Sequence, residues 1–106
     1  MSLEEPQVTR QTLAVLGALI QCPREGLSGA QIARTTKLPS GTLYPILARL
    51  EQAGWLESQW ETGDPHTLGR PRRRFYEVTD LGENRAKAEA RKTKSVISLF
   101  GGLACD

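Results

Sequence analysis

The chain has 106 residues, 39% of them hydrophobic and 25% charged, with a net charge of +2 at pH 7. A chain of that length is expected to be one domain with a single modest core. Its longest apolar run, LAVLGALI at 13–20, is too short for a bilayer span, which needs about 20 residues. No charged leader with a small-residue cleavage site precedes that run, so no secretory signal is expected. Cys22 and Cys105 match no CxxC or metal spacing, and two unpaired thiols point to the cytosol. Neither a membrane partner nor a cofactor is expected.

Residues 1–7 read as a loose polar tail. From Val8 to about Cys22 the pattern is helical, with Thr9 as N-cap. Leu13, Leu16 and Ile20 make one apolar stripe and Val15, Leu19 and Cys22 a second. A helix apolar on two faces must be covered twice, and the second face asks for a further helix or a second subunit. Pro23 and Gly26 break it.

Ser28 then suits the N-cap of a short helix, GAQIARTT, with Ile32 and Ala33 inward. KLPS (37–40) is a turn. In the helix that follows, Leu43, Ile46, Leu47 and Leu50 recur at helical spacing, and Gly54 closes it. WLESQWE (55–61) alternates as a strand, TGDPHTLGRP (62–71) is a loop rich in breakers, and RRRFYEV (72–78) is the return strand. Thr79 or Asp80 caps a last helix running to about Phe100, where Gly101 and Gly102 stop it. Its outward side is charged, while Ala86, Ala90, Thr93, Ile97 and Phe100 form a heptad-like seam. GGLACD (101–106) is a tail.

This order predicts a mainly α fold with a small β-hairpin: a winged helix-turn-helix over 8–79, followed by a C-terminal dimerisation helix over 80–100. The short helix, turn and second helix match the DNA-reading supersecondary unit. Charge is polarised along the hairpin. Residues 55–68 sum to −3 and residues 69–79, with Arg70, Arg72, Arg73 and Arg74, sum to +3. Such a segment is a candidate footprint for a polyanion.

SGTLYPILARLEQAGWLESQWE and, beyond the loop, GRPRRRFYEVTDLGE together resemble the PadR family of bacterial transcriptional regulators. The resemblance covers about 40–83 and rests on several motifs in the right order. It implies a dimeric winged-helix DNA binder, usually a repressor, whose last helix takes part in dimerisation. The connection PREGLSGAQIA lacks the HGY sequence common in the family. The chain resembles the short type, with one C-terminal helix.

A recognition helix presents its N-terminal turn to the major groove. If Thr42 rather than Ser40 is the effective N-cap, Pro45 falls inside the first turn and costs no backbone bond. Candidate DNA contacts are Lys37, Ser40, Thr42, Tyr44 and Arg49 on the helix and its approach, with Arg70, Arg72, Arg73 and Arg74 on the wing. Arg72 and Arg74 point to one side of the strand and Arg73 to the other. The structural alternatives are that Ser40 and Thr42 only cap, that Tyr44 packs on the core rim, and that Arg73 or Arg74 pairs with Glu57 or Glu61.

Dimer-interface candidates are Val15, Leu19, Ala86, Ala90, Thr93, Ile97 and Phe100. The family resemblance admits a flat aromatic effector held between subunits, although Trp55 and Trp60 read as core or rim packing. His66 reads as a solvated loop residue. No nucleophile motif, carboxylate pair, phosphate loop or metal spacing supports an enzyme. The competing function is a protein-interaction module that docks an acidic partner through the arginine-rich wing.

Overall fold

The first helix, α1, spans Arg10–Gln21 in a computed structural model that describes residues 7–21 and 26–93, the last of these by its backbone alone. The Thr9 hydroxyl accepts from the Thr12 amide at 3.1 Å and so caps it. Cys22, Cys105, Ile97 and Phe100 lie outside the described residues, as does the side chain of Thr93.

After α1 come a two-residue strand β1 (Leu27–Ser28), helix α2 (Gly29–Thr36) and helix α3 (Ser40–Gln52). Strand β2 (Leu56–Trp60), a four-residue helix α4 (Pro65–Leu68) and strand β3 (Arg74–Val78) make the wing. Helix α5 begins at Asp80 and is described to Thr93. The sheet order is β1-β3-β2, all antiparallel, with Leu27 opposite Tyr76 and Trp60 opposite Arg74. Neither β1 nor α4 was expected from sequence, since two and four residues are too few to show a period.

Local chemistry explains the boundaries. At α2 the Ser28 hydroxyl accepts from the Gln31 amide while the Gln31 side chain accepts from the Ser28 amide, a reciprocal capping box. Lys37 ends α2 in the left-handed region at φ 62°, which a non-glycine residue adopts at a cost of about 1 kcal/mol. At the other end of α3, Gly54 takes φ +83°. Its amide donates to Glu51 O and that of Trp55 to Leu50 O, at 3.0 and 2.9 Å. That is a Schellman ending, with Trp55 and Leu50 both buried beneath it.

One core holds the elements together. Val15, Leu16, Ile32 and Leu43 are fully buried, joined by Leu19, Leu47, Leu50, Trp55, Leu56 and Tyr76. Each fully buried Leu or Ile contributes about 1.5–3 kcal/mol. The two-faced apolarity of α1 has an internal explanation. Val15 at 0% and Leu19 at 1% exposure are covered by the chain itself, through α2, α5 and β3.

Ala86 and Ala90 are likewise fully buried. Their small side chains let α5 approach the core, and α1 packs against α5. These four positions, read in sequence as a subunit seam, are buried in the chain's own core cluster. Thr79, the N-cap of α5, ties that helix to the end of α3. Its hydroxyl donates to Gly54 O at 2.7 Å and accepts from the Gly82 amide at 3.1 Å.

Candidate nucleic-acid interface

The turn between α2 and α3 is Lys37, Leu38 and Pro39, with Lys37 and Pro39 exposed and Leu38 packed on the core. Helix α3 starts one residue after Pro39, whose carbonyl accepts from both Thr42 and Leu43 at 2.9 Å. Pro39 occupies the N-cap and no side chain caps the helix. Thr42 is therefore the third helical residue rather than the cap. Pro45 lies in the second turn, where its missing amide leaves the Gly41 carbonyl without that partner.

The face of α3 opposite Leu43, Ile46, Leu47 and Leu50 is centred on Gly41, Pro45 and Ala48, all exposed. Small residues there let another molecule approach the helix backbone. Tyr44 lies on the flank towards the wing, while Thr42 and Arg49 lie on the other. Tyr44 is 46% exposed. Its ring rests over Gly29 at the start of α2, where any Cβ would overlap it.

The wing arginines are not equivalent. Arg70 makes a two-pronged ion pair with Glu61, Nη1 to Oε1 at 2.7 Å and Nη2 to Oε2 at 2.9 Å. Glu61 also accepts from the Arg73 amide at 3.2 Å, and its own amide donates to Arg73 O at 2.7 Å. These bonds close the neck of the loop. Inside it, Asp64 caps α4 and Arg72 Nε donates to Gly63 O at 2.6 Å.

Arg74 is held as well. Its Nε donates to Ser58 Oγ at 2.8 Å, Ser58 Oγ donates to Glu51 Oε2 at 2.6 Å, and Arg74 Nη2 lies 3.4 Å from the same carboxylate oxygen. The guanidinium sits 5.3 Å over the Trp60 ring. The side-chain ion pairs are thus Arg70–Glu61 and Arg74–Glu51, not the structural alternative weighed from sequence, Arg73 or Arg74 with Glu57 or Glu61. The reason is register: Glu57 stands opposite Glu77, out of reach of the arginine run. Arg72 and Arg73 are exposed residues.

Between the start of α2, the Tyr44 flank of α3 and the wing lies an open groove of about 390 Å³, lined by Tyr44, Trp60, Tyr76 and all three of Arg72, Arg73 and Arg74. The alternation expected for those arginines fails because β3 begins only at Arg74. Sequence reasoning missed Gly29, Glu51, Ser58 and Trp60 as parts of this region. The opposed positions of Trp60 and Arg74 were a usable signal, but the loop between them hid the register.

Arg70 holds the Glu61 carboxyl at about 2, down from 4.5. A carboxylate whose folded pKa is depressed stabilises the fold above its unfolded pKa and loses that contribution as pH falls through the folded one. The wing neck is therefore expected to loosen between about pH 4.5 and 2. The protection factor of the Arg73 amide, its exchange relative to that of an unstructured peptide at the same pH, should fall as pH drops across that range, and Glu61→Gln should remove that fall. A protection factor that is constant with pH would show that the neck does not depend on this carboxylate.

Trp55 is sealed in the core, as read from sequence, and Phe100 is outside the described residues. His66 is exposed on α4. Among the described residues no three His, Cys, Asp or Glu side chains could share a metal ion, and no helix is long and apolar enough to cross a membrane.

Two helices joined by a three-residue turn, a following hairpin with an ordered tip, and a sheet completed by β1 define a winged helix-turn-helix protein. The model of the transcriptional regulator PadR-like family matches residues 15–88, and the chain belongs to that family. Solved structures with the same fold include a PadR-like transcription factor from Bacteroides fragilis, 22% identical, at a TM-score of 0.62 over 84% of this chain and 87% of that one. A PadR family transcription regulator from Clostridium difficile R20291 is 24% identical, at a TM-score of 0.63 over 89% of this chain and all of that one. The PcaV transcriptional regulator of Streptomyces coelicolor is 23% identical, at a TM-score of 0.68 over 92% of this chain and 67% of its own. The curated proteins offer no match to the chain.

Proposed function

We propose that this PadR-family regulator is a sequence-specific DNA-binding repressor that acts in the cytoplasm as a homodimer on a pseudo-palindromic operator. The observation that carries the reading is the surface shared by α3 and the wing. A helix face of small residues stands beside Arg72 and Arg73, both exposed and neither in a side-chain ion pair among the described residues. The major groove admits such a helix. Lys37, Ser40, Thr42, Tyr44 and Arg49 surround it, and Arg72 and Arg73 take flanking phosphates. Arg70 and Arg74 complete the cationic wing and, each being paired with a glutamate, act on DNA chiefly through the shape of the loop in this reading.

Pairing of subunits rests on the apolar pattern of Ile97 and Phe100 in the sequence, with Thr93 beside it. Two recognition helices in a symmetric dimer would enter major grooves roughly 34 Å apart.

The test is fluorescence anisotropy with duplexes from upstream of the protein's own gene and with scrambled duplexes, at two salt concentrations. A preference of about a thousandfold for the native fragment is expected of a specific regulator. No binding to either at moderate salt would overturn the reading and make the wing a docking surface for an acidic protein. Sedimentation equilibrium at micromolar concentration tests the dimer, and a monomer there would count against it.

A further inference from the structure

Among the described residues the large exposed hydrophobic side chains are Tyr44 at 46%, Trp60 at 59% and Leu81 at 43%. Two of these three line one groove, together with Arg72 and Arg73. An indole left in water forgoes much of its burial energy, so its place calls for an account. Stacking of Arg74 accounts for part of it. That arginine is already fixed by Ser58 and Glu51, however, and the indole remains more than half exposed with the guanidinium in place.

We propose that the groove between α3 and the wing is a channel for one sugar–phosphate strand, in which Trp60, with Tyr44 beside it, packs on deoxyribose while Arg72 and Arg73 meet the adjoining phosphates. The inference rests on the DNA-binding reading above and adds to it a residue, Trp60, and a role. A nucleic-acid backbone alternates charged phosphates with apolar sugar faces, and the groove sets cations beside aromatic rings in the same way. Glu51, Ser58 and Arg74 are positioning residues. Their chain of hydrogen bonds runs from the end of α3 into both wing strands and holds the indole at a set place relative to Tyr44.

A sugar contact releases no counterions and reads no base. It therefore differs in kind from an arginine–phosphate contact. The probe is a labelled duplex of arbitrary sequence, about three helical turns long, because the contact is common to all sequences. Trp60→Ala is expected to weaken binding by about tenfold, the size of a lost aromatic contact, with the salt slope unchanged. Trp60→Phe should keep most of the affinity.

The wild-type tryptophan emission should change on DNA addition and that of Trp60→Phe should not, since Trp55 is sealed in the core at 2% exposure. If anisotropy shows binding while wild-type emission stays constant, or if Trp60→Ala binds as tightly as wild type, the inference is overturned and the DNA-binding reading stands. If Trp60→Ala lowers the salt slope, the residue acts by holding phosphate contacts and the sugar contact is refuted. If wild type binds no duplex at all, the functional reading fails, and the inference with it.

Discussion

Gly82→Ala is expected to destabilise the protein by about 2 kcal/mol, lowering the melting temperature by about 10 °C for a domain of this size. Gly82 is buried in the first turn of α5, and a Cβ there would run into the carbonyl of Trp55 and come within 3.0 Å of Val78 Cγ2. The obstacle is backbone, so it cannot rotate away as a side chain would. Trp55 is fixed by the Schellman ending of α3, and its carbonyl accepts from the Thr79 amide at 3.0 Å. Two effects compete. Overpacking costs up to about 3 kcal/mol, while alanine gains about 1 kcal/mol over glycine in helix propensity.

The collision wins because both partners belong to pinned backbone. Gly41→Ala is the matched comparison, since a Cβ there meets nothing within 4 Å. That change should be neutral or mildly stabilising, by about 0.4–1 kcal/mol. Urea denaturation of the two variants measures the difference. Stabilisation by Gly82→Ala would mean that α5 can lift from α3 at little cost, contrary to the packing described.

The second large effect falls on binding. Replacing Arg72 and Arg73 together with alanine should remove two phosphate contacts and reduce the slope of log K against log salt by about 1.8. From about 50 to about 200 mM salt, the loss of affinity would then be smaller by about tenfold than in wild type. Affinity at the lower salt should fall by about one to two orders of magnitude for operator and scrambled duplex alike, because phosphates carry no sequence information. Both side chains are exposed, so the melting temperature should hardly move.

Arg70→Ala should behave differently. It breaks the pair with Glu61 at the wing neck, so its effect on binding works through loop order, and the salt slope should change less. Equal slope changes for Arg70→Ala and the double variant would show that Arg70 reaches phosphate after all.

The longer helices, most of their caps and the identity of the hairpin were legible in the chain because they are written in short-range pattern, whereas the N-cap of α3 falls on Pro39 and not on Ser40 or Thr42. Leu43, Ile46, Leu47 and Leu50 are buried as their spacing requires, Ser28 caps α2, and Gly54 ends α3. The family motifs lie in the same contiguous stretch. Less was legible at the candidate site. The arginine run announced a cationic wing, yet which arginines remain available was hidden. A charge has no period, and its partner is chosen by register and reach: Glu51 is 23 residues from Arg74, and Glu61 nine from Arg70.

Pattern was ambiguous where one signal had two physical causes. Alanines four residues apart on α5 and a doubly apolar α1 suit a subunit seam, and they suit a buried pair of helices equally well. Periodicity reports that a face is covered but not by what.

By itself, then, the sequence determined the longer elements and their order, the buried stripe of α3 and the basic character of the wing, because propensity, capping and hydrophobic period act within a few residues. Only the tertiary structure decided that Val15, Leu19, Ala86 and Ala90 are spent on the chain's own core. It also decided that Arg70 pairs with Glu61 and Arg74 with Glu51, and that Tyr44 and Trp60 line one groove. Those outcomes depend on strand register and helix packing, which bring together residues that no local pattern connects.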